Sequence, residues 1–290
     1  MFNSIVTHRA INIIDNKKNE AFALESNRSA FLNQLQDGFG LEFDIQPLKN
    51  DSFVVTHNNN LKKLTNNKDL RLFADINYQD FKSINCEKNS IFFLEDILDL
   101  IDIYAKKICF LHLKHSCQEK KFLDRLIQIL LSKKSVLKSI VIFDLRPKSA
   151  IYLKTNIPEL NLAASVSHEY DIERFGLFTG NTLLSLNEII SYKDLYNWAW
   201  MDEWDTKHDT NPNKSFVNES NISLLKNNSF NVAVVSPELH GSSPGLLANE
   251  EHQSSKNILS LKEKWIEWAM FEIEAICSDY ANEIRNMLIK

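Results

Sequence analysis

The chain has 290 residues, of which 44% are hydrophobic and 24% charged, and its formal net charge is −5. This length is compatible with one α/β barrel or with two smaller domains, and the apolar fraction is enough to fill a sizeable core. With a pI near 5.9, and with basic residues scattered singly or in pairs, the chain lacks the basic surface typical of nucleic-acid binding, so no nucleic-acid partner is expected.

The N-terminus and the apolar runs predict neither secretion nor membrane insertion. The first residues lack a basic start followed by an apolar stretch, and no apolar run reaches the roughly 20 residues that a membrane helix needs. We therefore expect a cytoplasmic protein without a membrane span. Cys86, Cys109, Cys117 and Cys277 show no Cys-x-x-Cys spacing and are expected to be reduced, structural thiols.

Short β-rich runs alternate with longer helical patterns, which predicts βα units around a parallel sheet. In chain order the predicted strands are Ile5–His8, Leu41–Gln46, Cys109–Lys114, Ile140–Asp144, Leu162–Val166, Trp198–Met201, Val232–Ser236 and Ala275–Asp279, with Phe53–His57 as an extra strand that returns after the second. Apolar residues recur three or four apart in the predicted helices, which are Ser29–Leu35, Leu94–Tyr104, Glu119–Leu131, Asn187–Leu195, Ser220–Asn227 and Leu261–Met270. Eight such units predict an α/β fold of the (β/α)8 TIM-barrel class, with residues 1–290 as one domain.

Polar residues fall at the C-terminal ends of these strands, where a TIM barrel builds its active site. They are His8, Glu42, Asp44, His112, Lys114, Asp144, Asp202, Glu238 and Asp279. Glu42 and Asp44 are two residues apart, so period-two alternation places both carboxylates on one face of the strand and Leu41, Phe43 and Ile45 on the other. Two carboxylates on one face suit a hard cation.

Two segments without apolar periodicity, residues 208–219 and 241–253, are predicted to be long surface loops. At this end of a barrel such loops are often lids or substrate walls. Glu238 and His240, just before the second segment, are interpreted either as substrate contacts or as a pair that orders the loop.

The tryptophans near the sixth barrel strand have two interpretations. Trp198, Trp200 and Trp204 lie close to Asp202 and Glu203 in the sequence. Aromatic rings beside carboxylates suit stacking and hydrogen bonding to a polyol or sugar, but filling of the barrel core explains at least two of the three tryptophans equally well.

Four motifs carry a resemblance to a known family. They are His8-Arg9-Ala10, Leu24-Glu25-Ser26-Asn27, Gly40-Leu41-Glu42-Phe43-Asp44 and Val54-Val55-Thr56-His57-Asn58. In order and spacing they resemble the His-Arg-Gly, Pro-Glu-Asn-Thr, Glu-Leu-Asp and Val-Ile-His-Asp motifs of the glycerophosphodiester phosphodiesterases, a family of phospholipase C-like TIM barrels. Residues 93–98, 112–114 and 276–280 resemble further motifs of that family.

The chain departs from the family pattern at several positions. His112 replaces the third metal-binding carboxylate, Asn58 replaces the aspartate of the His-Asp pair, and Leu24 replaces the proline before Glu25. The seventh barrel strand runs into Ser236-Pro237-Glu238, where many members have a Trp-Thr-Val-Asn run. These departures concern the substrate more than the fold.

The resemblance implies an enzyme, a phosphoric diester hydrolase with two catalytic histidines, His8 and His57, and a divalent ion. Phosphodiester cleavage needs a cation to take up charge on the phosphoryl oxygens, and imidazoles can act as base and acid near neutral pH. The expected metal ligands are Glu42 and Asp44 with His112, or Glu25, completing the shell. The expected substrate-binding residues are Arg9, Glu25, Lys114, Trp200, Asp202 and Glu238.

The expected substrate is a small phosphodiester, either a glycerophosphodiester or a related glycerol- or sugar-phosphate diester, which implies a place in lipid metabolism. The resemblance implies Mg²⁺ or Ca²⁺, whereas an imidazole ligand shifts preference towards Mn²⁺, Co²⁺ or Zn²⁺. Because imidazole must be neutral to bind a metal, affinity is expected to fall as the pH drops through about 6. His112 is interpreted either as a ligand or as a residue that tunes the site.

Two alternatives to this function remain open. The tryptophans and carboxylates of residues 198–204, with the altered third ligand, favour a phosphodiesterase of surface-glycan or capsule precursor metabolism. His112 and Asn58 favour a barrel without catalytic activity that binds a phosphorylated ligand. Loss of turnover with a chelator, and its recovery with a divalent ion, would separate an enzyme from a binding protein.

Overall fold

Eight parallel strands close into a barrel in the computed structural model, which describes residues 1–15, 17–50, 52–84, 92–204, 215–239 and 252–288. The strands are β1 (Ser4–His8), β2 (Gly40–Pro47), β3 (Phe53–Val55), β4 (Cys109–His112), β5 (Ile140–Phe143), β6 (Asn161–Val166), β7 (Leu183–Leu184), β8 (Trp198–Met201), β9 (Asn231–Val235) and β10 (Ala275–Ser278). The barrel order is β1-β2-β4-β5-β6-β8-β9-β10, and β10 pairs back to β1. This confirms the predicted TIM barrel and the eight predicted strands, whose ends shift by at most two residues.

The helices pack around this barrel. They are α1 (Lys18–Ala23), α2 (Arg28–Gln36), α3 (Tyr78–Ser83), α4 (Leu94–Tyr104), α5 (Lys120–Ser132), α6 (Pro147–Asn156), α7 (Glu169–Phe175), α8 (Leu186–Ser191), α9 (Glu219–Asn227), α10 (Ile258–Ala269) and α11 (Ala281–Leu288). The six predicted helices correspond to α2, α4, α5, α8, α9 and α10. Five helices, α1, α3, α6, α7 and α11, and the two-residue strand β7 were not predicted from the sequence.

Two strands lie outside the closed ring. The predicted extra strand, β3, pairs antiparallel with β2 and brings the chain back towards the mouth of the barrel. β7 pairs in parallel with the end of β6.

Strand alternation divides the core into an outer and an inner part. Leu41, Phe43 and Ile45 of β2 pack in the outer core between strands and helices, as predicted. The inner core fills the barrel with side chains from alternate strand positions, among them Phe110, Phe143, Trp198 and Trp200. These rings fill the inside of the barrel, and Phe143 and Trp200 also line the cavity at its C-terminal mouth.

The registers between neighbouring strands bring the predicted site residues to that mouth. His8 of β1 is level with Glu42 of β2, and Asp44 of β2 is level with His112 of β4. Parallel strands end at the same side of the sheet, so four residues that are up to 104 positions apart become neighbours.

The remaining sequence predictions concern loops, membrane insertion and cysteines. Residues 208–214 and 240–251 lie outside the described residues, as does Cys86, while Glu219 begins α9 and residues 253–256 form a 3₁₀ turn. Among the described helices, none combines the length and the apolar character needed to cross a bilayer. Cys109, Cys117 and Cys277 are free and buried.

Candidate active site

A cavity of about 270 Å³ opens at the C-terminal mouth of the barrel. One half of its wall is charged, with His8, Arg9, Glu42, His57, His112, Lys114 and Asp144, and the other half is mainly apolar, with Phe143, Phe178, Leu183, Trp200, Trp204, Val235 and Leu239. Both predicted catalytic histidines therefore face one cavity. Trp200 and Asp202 line it as well.

His8 is held in one orientation by a buried aspartate. Its Nδ1 lies 2.9 Å from Asp279 Oδ1, and its Nε2 lies 4.0 Å from Glu42 Oε2. When Nδ1 donates to Asp279, Nε2 carries a lone pair on the side of the cavity. Burial and the nearby Arg9 guanidinium lower the pKa of His8 well below its usual value, so His8 is neutral at pH 7 and able to accept a proton.

The turn after β1 has an unusual backbone. Arg9 and Ala10 have φ angles of 52° and 63°, in the left-handed region that favours glycine. The family pattern has glycine at the position of Ala10, and an L-residue there costs about 1–2 kcal/mol. This turn directs the Arg9 side chain into the site, where Nη1 lies 3.2 Å from Glu25 Oε1 and Nε lies 3.0 Å from Asp44 Oδ2.

Asp44 is the centre of a buried cluster of charges. Its Oδ1 accepts a hydrogen bond from His112 Nδ1 at 2.8 Å and lies 3.2 Å from Lys114 Nζ, while Oδ2 faces Arg9. Burial alone would raise the pKa of Asp44, but Lys114 and Arg9, together with the bond from His112, hold it well below its usual value. Asp44 is therefore a carboxylate at neutral pH.

His112 is bound through both ring nitrogens. Besides the bond from Nδ1 to Asp44, its Nε2 lies 3.1 Å from Asp144 Oδ2. Burial lowers the pKa of His112, but the hydrogen bonds to Asp144 and Asp44 outweigh it and raise the pKa to about 9. Asp144 is fixed in turn by hydroxyl groups, because its Oδ1 accepts from Ser165 Oγ at 3.0 Å and Thr182 Oγ1 at 2.6 Å.

Glu42, Asp44 and His112 offer ligand atoms that all lie within 4.8 Å of one another. Glu42 Oε2 is buried and accepts no hydrogen bond, and burial together with the Asp44 charge raises the pKa of Glu42 to about 8. A buried carboxylate without a partner is what a cation would stabilise, so the two carboxylates fit a divalent ion. His112 can join them only if it gives up its proton and its bond to Asp44 or Asp144.

His57 completes the charged half of the cavity from the loop after β3. Its carbonyl oxygen accepts hydrogen bonds from Lys114 Nζ at 2.8 Å and Gln46 Nε2 at 2.9 Å, which fixes this loop to the barrel. Burial, with the positive charges of Arg9 and Lys114, lowers the pKa of His57 to about 3. His57 also lines a second, polar cleft with Glu25, Asn58, Asn60 and Lys63, among other residues.

Two carboxylates highlighted by the sequence are turned away from the main cavity. Glu238 accepts hydrogen bonds from the hydroxyl groups of Ser236 and Ser278 and from the backbone N–H of Asp279. Glu203 accepts from the backbone of residues 216 and 217 and pairs with buried His252 at 2.8 Å. Neither is among the residues that line the cavity, and Glu238 contacts the backbone of Asp279.

Asp144 and Asp279 lie at predicted strand ends, but no role was predicted for either of them. Each makes the contact that orients a histidine of the site, Asp144 with His112 and Asp279 with His8. Their position directly after a barrel strand was the available signal.

Solved structures share this architecture over the whole chain. A glycerophosphoryl diester phosphodiesterase from Parabacteroides distasonis superposes with a TM-score of 0.63 and 13% identity, covering 99% of this chain and 86% of that one. A glycerophosphodiester phosphodiesterase from Thermotoga maritima gives a TM-score of 0.61 and 15% identity, covering 99% and 98%. The chain has the fold of the glycerophosphodiester phosphodiesterases.

A third structure with this glycerophosphodiester phosphodiesterase fold holds a ligand. It is a phosphodiesterase from Oleispira antarctica in complex with the product sn-glycerol-3-phosphate, with a TM-score of 0.62, 14% identity and coverage of 100% of this chain and 98% of that one. No protein-family model matches the sequence, and no curated protein matches it. The likeness therefore lies in the fold, and it agrees with the family that the sequence motifs resemble.

Proposed function

We propose that the protein is a metal-dependent phosphodiesterase that hydrolyses a glycerophosphodiester, or a related glycerol- or sugar-phosphate diester, by acid–base catalysis with His8 and His57. One observation carries this proposal. Both histidines, Arg9 and Lys114 face a single cavity beside the buried carboxylates of Glu42 and Asp44, at the end of a TIM barrel where active sites form.

The proposed metal ligands are Glu42, Asp44 and His112. A divalent ion bound there would take up the negative charge that develops on the phosphoryl oxygens during cleavage. Arg9 and Lys114 add positive charge from the chain itself, and both lie within 3.2 Å of Asp44 and therefore close to the same place. A guanidinium and an ammonium beside the phosphate stabilise its anionic oxygens by charge-assisted hydrogen bonds.

The two histidines have the protonation states that the base role requires. The pKa values of His8 and His57 are both lowered, so both imidazoles are neutral at pH 7, which is the state from which a general base acts. His8 has the arrangement of an oriented general base, because Asp279 holds its Nδ1 and stabilises the imidazolium that forms. The histidine that acts as the acid must be protonated in the complex, where the negative charge of the phosphate raises its pKa.

The fold and the polar cleft beside His57 support a substrate with a glycerol phosphate group. A protein with the same fold binds sn-glycerol-3-phosphate as its product. In this chain, Asn58, Asn60 and Lys63 offer amide and ammonium groups to hydroxyl groups of such an arm. Asn58, where the family pattern has aspartate, contributes hydrogen bonds without a charge.

The test is turnover of a panel of glycerophosphodiesters with each of Mg²⁺, Ca²⁺, Mn²⁺ and Co²⁺, followed by addition of a chelator. We expect release of a phosphomonoester that stops with the chelator and resumes with the metal. His57→Ala should abolish most of it, and His115→Gln is the matched control, because His115 lines the same cavity without a proposed role. Absence of turnover with every metal and diester would refute the proposal.

A binding protein without catalytic activity is a second candidate, and one observation favours it. Both nitrogens of His112 are already engaged by Asp44 and Asp144, which leaves a cationic imidazolium where an enzyme of this type would place a metal ligand. Such a site could bind a phosphate group without metal. Saturable binding of glycerol phosphate that is unaffected by a chelator, with no cleavage of any diester, would establish this alternative.

A further inference from the structure

Three rings form a continuous wall from the charged half of the cavity into its apolar half. The imidazole of His112 stacks on Phe143, with centroids 4.7 Å apart and planes at 23°. Phe143 stacks in the same way on Trp200, with centroids 4.2 Å apart and planes at 23°. The wall begins at the proposed phosphate position and leads away from it.

The side chains around this wall are mostly aliphatic or aromatic. Leu183, Val235, Leu239 and Trp204 line the same cavity, and Val235 and Leu239 belong to the packed cluster that contains Phe143 and Trp200. Ser165, Thr179 and Asp202 also line it, and the hydroxyl groups of Ser165 and Thr179 already donate to Asp144 and to backbone carbonyl groups. A polyol placed here would lose hydrogen bonds to water without replacing most of them, which is unfavourable.

The apolar surface continues to the outside of the protein. Phe178 lines the cavity and is 65% exposed, and the adjacent Leu177 is 86% exposed. Exposed apolar side chains at the rim of a cavity are typical of a binding site for an apolar group. A chain that starts at the phosphate and follows Phe143 and Trp200 would leave the cavity beside Phe178.

The cleft on the other side of His57 has the opposite character. It is lined by Thr56, Asn58, Asn60 and Lys63 among other residues, and its volume is also about 270 Å³. A diester bound between the two spaces would therefore have one arm in an apolar and one in a polar environment.

We propose, on the basis of the phosphodiesterase activity proposed above, that the preferred substrate is an unsymmetrical diester with one apolar arm. An alkyl or acyl chain packs along Phe143 and Trp200 and leaves past Phe178, while a hydroxylated arm occupies the cleft of Asn58 and Asn60. The alternative interpretation, in which the tryptophans and the carboxylates of Asp202 and Glu203 bind a sugar, is weakened because Glu203 is bound to His252.

The test that does not depend on catalysis is the affinity of n-alkyl phosphates from methyl to octyl, measured by calorimetry below their aggregation concentrations. Each methylene that the wall buries should tighten binding by up to about fourfold. Trp200→Ala should flatten this series, and Phe178→Ser should weaken only the longer chains. Ile103→Ser removes a side chain that is 69% exposed on the last turn of α4, away from the barrel mouth, and should leave the series unchanged.

The outcomes separate this inference from the proposed function. Equal affinity of methyl and octyl phosphate would overturn the apolar arm whether or not the protein is an enzyme. If the affinity series rises but no glycerophosphoalkyl diester is cleaved with any metal, the phosphodiesterase proposal fails and the apolar site stands. Because Phe178 is exposed, Phe178→Ser remains informative even where Trp200→Ala does not fold.

Discussion

Replacing His112 with glutamine is expected to reduce, by about one, the number of protons released when the protein binds a divalent ion. The hydrogen bonds to Asp144 and Asp44 raise the pKa of His112 to about 9, and burial with the Asp44 charge raises the pKa of Glu42 to about 8. At pH 7, about 99% of His112 and about 90% of Glu42 therefore carry a proton. Both must lose it to bind a metal.

The wild-type protein should then release about two protons per ion at pH 7, and His112→Gln about one. Between pH 6 and pH 7 the metal affinity should rise roughly a hundredfold in the wild type and roughly tenfold in the variant. The assay is calorimetric titration with Mn²⁺ in two buffers of different ionisation enthalpy, since the difference in observed heat gives the proton count.

His115→Gln is the control, because His115 lines the same cavity but lies outside the chain of bonds from Asp44 through His112 to Asp144. It should release the same two protons as the wild type. Equal release by the wild type and His112→Gln would show that His112 keeps its proton when the ion binds, and would remove it from the ligand set.

Three further predictions follow from the site. His8→Ala and His57→Ala should each lower kcat by about 10²–10⁴ while the protein still folds, and their effects should not add; a folded variant with normal turnover would exclude that histidine from the mechanism. His112→Glu should move the metal ranking towards Mg²⁺ and Ca²⁺ in titrations, and an unaltered ranking would contradict contact with the ion. Burial and the Asp279 charge raise the pKa of Glu238 from its usual value to about 7, so the folded protein binds a proton more tightly than the unfolded chain. This stabilisation is present below the usual carboxyl pKa and is lost as the pH rises to about 7. In calorimetric scans, the melting temperature of Glu238→Gln should therefore rise relative to that of the wild type from pH 5 to pH 8. A difference in melting temperature that stays constant over this range would refute the prediction.

The barrel could be predicted from the sequence because its strands have a clear pattern of apolar residues. Elements that are short, or whose apolar pattern is weak, were not predicted. The strand β7 has two residues and α1 has six, too few to show a periodicity. The helix α6 is ten residues long, but its buried residues are Ser149, Ala150 and Leu153, so only one large apolar side chain marks its inner face. Elements of this kind are fixed by packing against the barrel rather than by their own sequence.

The chemistry of His112 could not be predicted from residues near it. From an unperturbed imidazole, the sequence predicts loss of metal affinity through about pH 6, whereas the structure gives His112 a pKa of about 9. The difference arises from Asp144, which follows a different strand 32 residues later and reaches Nε2 at 3.1 Å. Only the register between β4 and β5 brings the two side chains together.

Alternation within each strand explains which strand-end residues reach the cavity. On β8, Trp198 and Trp200 point into the barrel, so Asp202 continues on that side and lines the cavity, whereas Glu203 is turned outwards to His252. The same rule places Lys114 inside after His112. Asp144 follows the inward Phe143 and should therefore point outwards, but its φ of 65° turns the chain and returns the carboxylate to His112. Position at a strand end therefore does not by itself predict that a side chain reaches the cavity, because the alternation of inward and outward residues also matters. A residue with positive φ just after the strand, such as Asp144, reverses that alternation, and the amino-acid sequence does not show that its φ is positive.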